Sequence, residues 1–88
     1  MEYLFIQRPG DREKIMEHFE RFNKCSKQEL VQHYNKLVEI GIVGVHAQAV
    51  MIVGLYQAFI FIFGKSPISI EENSIISLTS KIKLVGYN

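Results

Sequence analysis

Residues 40–64 read Ile40-Gly-Ile-Val-Gly-Val-His46-Ala-Gln-Ala-Val-Met-Ile-Val-Gly54-Leu-Tyr-Gln57-Ala-Phe-Ile-Phe-Ile-Phe63-Gly64, with no Asp, Glu, Lys or Arg among them. Each large apolar side chain left in water forgoes about 1.5–3 kcal/mol of burial free energy. A run of this length and character must therefore be buried against something. We place a helix over Val45 to Phe63. Phe59-Ile-Phe-Ile-Phe63 would also suit a strand, which leaves the end of the helix open until Ser66-Pro67 stops it.

Laid out at about 100° per residue, this helix divides in two. Gly44, Ala47, Gly54 and Ala58 gather on one side with Met51, where another backbone can come close. Val45, Ile52, Leu55, Tyr56, Phe59 and Phe63 form a broad large-residue side that needs a deep layer of partners. His46 and Gln57 fall on nearly one line, three turns apart, and Gln48 lies almost opposite. A helix that is apolar all round belongs to the centre of a packed structure or to a membrane.

Upstream, Ser26-Lys-Gln-Glu29 is a capping box that opens a helix with a buried stripe of Leu30, Val31, Tyr34, Leu37 and Val38 and an end at Gly41. Before it, Asp11 is expected to cap a helix that runs to about Asn23 and buries Ile15, Phe19 and Phe22. Glu13, Glu17 and Glu20, interleaved with Arg12, Lys14 and Arg21, make a solvated face. Tyr3 to Ile6 is a short strand or extended arm, broken by Pro9-Gly10.

Downstream, Ile68 and Ile70 alternate with Ser69 and Glu71. Glu72-Asn73-Ser74 is a turn in which Asn73 can take a left-handed conformation. Ile76, Leu78, Ile82 and Leu84 then alternate with Ser77, Thr79, Lys81 and Lys83. That pattern predicts a half-buried hairpin bent near Ser80. The expected fold is α+β and helix-dominated: three helices, a short N-terminal strand or arm and a C-terminal β-hairpin, in one domain over residues 1–88.

The 88 residues carry a net charge of +1, which makes no electrostatic case for nucleic acid or an anionic membrane. Cys25 is the single cysteine, so no disulfide framework is available, and a lone thiol fits the reducing cytoplasm. His18, His33 and His46 have no metal-ligand spacing, and no cofactor or metal is expected. No nucleophile elbow or phosphate-binding loop occurs, and the reading is non-enzymatic.

Helices and hairpin can cover only part of the apolar helix in so short a chain. The expectation is therefore a self-associating module, a homodimer or homo-oligomer, with a different protein as the alternative partner. Its ligand or interface candidates are Leu55, Tyr56, Phe59 and Phe63, with the polar line of His46 and Gln57. Two alternatives set nucleic acid and membrane against this. In a winged-helix-like domain the third helix would read bases, and Lys65, Lys81 and Lys83 would touch phosphates. In a small membrane protein the apolar helix would span the bilayer, with Gly54 and Ala58 as its packing pair.

Overall fold

The structure, a computed structural model, describes residues 2–72 and 74–88. In chain order it contains β1 (Glu2–Leu4), α1 (Asp11–Asn23), α2 (Lys27–Ile40), α3 (His46–Phe63), β2 (Ser69–Glu71), β3 (Ile75–Ser77) and a one-turn α4 (Leu84–Tyr87). The fold is the expected α+β, helix-dominated one. The expected left-handed conformation of Asn73 lies outside the described residues, while its neighbour Glu72 has φ 52°.

α3 is the axis of the molecule. It ends where Gly64 turns left-handed, φ 78°, and donates its N–H to the Ile60 carbonyl. The strand-like Phe59–Phe63 run thus stays helical to its last residue. Asp11 at the start of α1 meets His46 at the start of α3, Gly54 lies against Ile15 and Phe19, and Phe19 meets Phe61. The two helices therefore run in the same direction, with α2 returning between them in the chain. At Gly54 they touch backbone to backbone: a Cβ built there would lie 2.5 Å from His18 Cβ and 3.1 Å from the Ile15 carbonyl oxygen.

The other side of α3 meets larger neighbours. Ile52, Leu55 and Phe59 are fully buried with Leu30, Tyr34 and Leu37 of α2 and with Ile68 and Ile76. The deep layer that the large-residue side requires is supplied at these positions by the chain itself. α2 begins with the capping box as expected: Ser26 Oγ accepts from the Glu29 N–H at 3.1 Å, and Glu29 Oε1 accepts from the Ser26 N–H at 2.8 Å. Replacing Ser26 with Ala should cost about 1 kcal/mol, read as an earlier midpoint in urea unfolding, and Ser26→Asp should recover most of it.

The sheet is antiparallel with strand order β1-β3-β2. Its register aligns Tyr3, Ile76 and Ile70 in one row across the three strands, all on the face toward the core. Phe5 continues β1 inward and donates its N–H to the Ser74 carbonyl at 2.8 Å. Leu4 and Ile6 alternate outward, 60% and 67% exposed.

Two local expectations are corrected. The N-cap of α1 is Gly10, in a left-handed conformation, and Asp11 is the first helical residue. Pro9-Gly10 makes the turn itself, which frees the Asp11 carboxylate for other partners. The strand after the turn stops at Ser77, where sequence alternation extended it to Leu84. Side chains of α2 capture the backbone instead. Tyr34 Oη accepts from the Thr79 N–H at 3.0 Å, and Asn35 exchanges two hydrogen bonds with Ile82, 2.8 and 2.9 Å. Lys81 Nζ reaches Glu39 at 2.9 Å. The segment is tied to a helix, so its alternating side chains report docking and not strand pairing, and it ends in α4.

Candidate functional site

His46 is held by Asp11. Its Nε2 lies 2.7 Å from Asp11 Oδ2, and that same oxygen accepts the Arg8 N–H at 2.7 Å. The Phe5 ring stacks on the imidazole, centroids 5.3 Å apart. The pair is largely enclosed, with 18% of the His46 side chain and 10% of that of Asp11 exposed. The Arg8 N–H holds the Asp11 carboxyl below its ordinary value of 3.8. Burial opposes this, and the His46 hydrogen bond and charge reinforce it. The location explains why a carboxylate is there. Two parallel helices begin side by side, their positive dipole ends adjacent, and the carboxylate sits between them.

An open hollow beside the pair is lined by Arg8, Lys14, His18, Ala47 and Val50. The His46–Asp11 contact joins the first residues of α3 and α1. Cys25 lies at the far end of α1 with its Sγ 3.9 Å from the Arg21 carbonyl, and burial pushes its thiol up. Among the described residues no group of three or more His, Cys, Asp or Glu is placed to hold a metal.

Lowered carboxyl groups give a defined pH dependence. Glu29 is held down by the Ser26 backbone and hydroxyl, and Glu39 by Lys81. A lowered native pKa contributes stability that is complete above the ordinary value and lost as the pH falls through the native one. Burial, with Arg21 beside it, holds the His18 imidazole below its ordinary value of 6.5, so the thermal midpoint should begin to fall slightly below about pH 6.5 and fall further toward pH 3, below the ordinary values of 3.8 for Asp11 and 4.5 for both glutamates. Asp11→Asn should lower the plateau and shallow the fall.

The structure separates the residues that the helical wheel grouped. Gln57 and Tyr56 share a second hollow with Phe5, Gln7, Ile15, Val53 and Ile70. Eleven residues of helix, about 16 Å of rise, separate Gln57 from His46, so the polar line does not form one pocket. Leu55 and Phe59 are 1% and 0% exposed and lie inside the chain's own core. Phe63 is half-buried in an aromatic group with Phe59 and Tyr87, centroids 5.4 and 5.1 Å away, and Lys27 Nζ stands over its ring. Gln48, on the opposite side of α3, ties down the 41–45 loop: its Nε2 donates to the Gly41 carbonyl and its Oε1 accepts from the Val43 N–H.

The buried hydroxyl of Tyr87 has no hydrogen-bond partner among the described residues. Burial, with Tyr34 nearby, pushes the phenol up to about 12. Tyr87→Phe removes an unsatisfied polar group and nothing else, and should leave stability unchanged or raise it by up to about 1 kcal/mol in a denaturant titration.

The sequence did not point to Asp11 as the partner of His46, since nothing local reveals that the two helices start together. It also did not locate the apolar surface that remains. That surface lies at Leu4 and Ile6 on β1 and the extended residues after it, at Met16 of α1 with Ile60 and Phe61 of α3, at Ile40, Val43 and Val45 around the α2–α3 loop, and at Val85 of α4. Phe61 is 69% exposed and meets the edge of Phe19. The cations of the winged-helix alternative are partly engaged within the chain, with Lys81 on Glu39 and Lys65 over the Tyr87 ring. No family model matches the chain, and neither a curated protein nor a solved structure does.

Proposed function

We propose that this protein is a non-enzymatic, self-associating interaction module of the cytoplasm. One observation carries the proposal: after the core of α3 is covered, large apolar side chains of β1, α1 and α3 still stand in solvent, Leu4, Ile6, Met16, Ile60 and Phe61 among them. Exposed large apolar side chains on neighbouring elements support an interaction surface, and a two-fold homodimer is the commonest way to cover one. The lone free thiol of Cys25 supports the cytoplasmic part of this reading. Sedimentation equilibrium at micromolar concentrations should show a mass above that of one chain, and a folded monomer throughout that range refutes the proposal.

A second reading rests on α3 itself, which is long and apolar enough to cross a bilayer by length and composition. Insertion would have to expose Ile52, Leu55 and Phe59, all buried here against the rest of the chain. Partition into the detergent-rich phase of a Triton X-114 separation favours this reading, and recovery in the aqueous phase favours the first.

A further inference from the structure

β1 is an edge strand, and its outer edge is self-complementary. Tyr3 and Phe5 direct their backbone groups toward β3, as the Phe5–Ser74 bond and the Tyr3–Ile76 register require. In an antiparallel ladder the alternate residues then direct theirs the other way. The N–H and C=O groups of Leu4 and Ile6 therefore face the open side of the sheet. Along that side the exposed residues run Glu2, Leu4, Ile6, Arg8: acid, apolar, apolar, base. Edge strands are normally protected from pairing by charge, proline or brevity. β2, the opposite edge, has this protection in Pro67, Ser69 and Glu71. β1 places two large aliphatic side chains at the centre of its edge.

We propose that β1 pairs antiparallel with β1 of a second copy across a two-fold axis at Phe5, joining the two sheets into one of six strands. Of the antiparallel registers, this one matches every exposed side chain to a complement. Leu4 lies opposite Ile6 of the second copy, and Glu2 lies opposite Arg8 of the second copy, each pair occurring twice. A register centred on Leu4 would set Glu2 against Ile6 and lose both ion pairs. Cross-strand apolar and opposite-charge pairs each favour pairing, and like charges directly opposite disfavour it. Asp11 engages both backbone groups of Arg8, so the backbone ladder would end at Ile6 and Arg8 would contribute its guanidinium alone, whose charge also acts on the Asp11 carboxyl.

This inference rests on the self-association reading and names its interface, and charge exchange tests it apart from that reading. By size-exclusion chromatography with light scattering, the unaltered protein should be a dimer. Glu2→Lys and Arg8→Glu should each weaken the dimer about tenfold or more, and the double variant Glu2→Lys/Arg8→Glu should restore it. Leu4→Lys should give a folded monomer by circular dichroism. A dimer indifferent to all of these changes, or one dissolved by Phe61→Ser instead, overturns the β1 pairing while self-association stands. An unaltered protein that is monomeric at about 100 µM, a concentration at which any association with a dissociation constant below about 100 µM would be evident, overturns both.

Discussion

Gly54→Val should cost about 3 kcal/mol or more, at the upper end of what overpacking does to a core. A domain of this size has only about 4–13 kcal/mol to lose. The physical cause is the contact between α1 and α3. A Cβ at residue 54 would meet His18 Cβ at 2.5 Å, with the Ile15 carbonyl oxygen and the Phe19 nitrogen both at 3.1 Å. None of these is the tip of a flexible side chain, so α1 itself must move. With a urea dependence of about 1 kcal/mol/M, the unfolding midpoint should fall by about 3 M. Even Gly54→Ala should destabilise, against a helix propensity that favours alanine by about 1 kcal/mol. Gly86 is the control. A Cβ there meets nothing within 4 Å, so Gly86→Ala should be neutral or slightly stabilising. A Gly54→Ala variant as stable as the parent would mean that the helices do not touch at this point.

Phe59→Ala should cost about 3–5 kcal/mol, the range for a large aromatic cut to a methyl in a filled core. Phe59 is completely buried and meets three other rings: Tyr34 edge-on at 6.0 Å, Phe63 stacked at 5.4 Å and Tyr87 edge-on at 6.0 Å. Those rings belong to α2, α3 and α4, so one residue connects three elements. The loss should be felt beyond global stability. Amide exchange in residues 84–87 should speed up under native conditions, because α4 packs on this ring and is itself only one turn long. Phe59→Leu keeps most of the volume and should retain more than half of the lost stability. If Phe59→Ala moved the midpoint by less than about 1 kcal/mol, the placement of α3 at the centre of the fold would be wrong.

Most of the architecture was legible because it rests on local signals. Ser26 and Glu29 announced α2 with a reciprocal cap, and the three-four spacing of Leu30, Tyr34 and Leu37 gave its buried side. α3 could be read from length and charge exclusion, and its small side did mark a close helix contact at Gly54. Ala47, on that same side, is exposed and lines the open hollow beside His46. What escaped the sequence depends on partners distant along the chain. The alternation from Ile76 to Leu84 looked like a strand because Tyr34 and Asn35, more than forty residues earlier, were not known to claim its backbone. The candidate residues divided for the same reason. Leu55 and Phe59 are large and apolar whether a second chain or α2 covers them, and only the packing shows that it is α2 and its neighbours.

The pairing of β1 with β3 has a further consequence for how the protein is made. Leu4 waits for Ile75, its partner in the register. At about 5–20 residues per second of synthesis, that wait lasts on the order of 4–15 s. The helices can form and collect on α3 as they emerge from the ribosome, while the segment from Glu2 to Ile6 remains an apolar strand with both edges open. On crowded polysomes this is the interval in which neighbouring nascent chains can capture each other. The residues proposed to pair finished molecules would thus also set a limit on how densely the message can be translated before assembly goes astray.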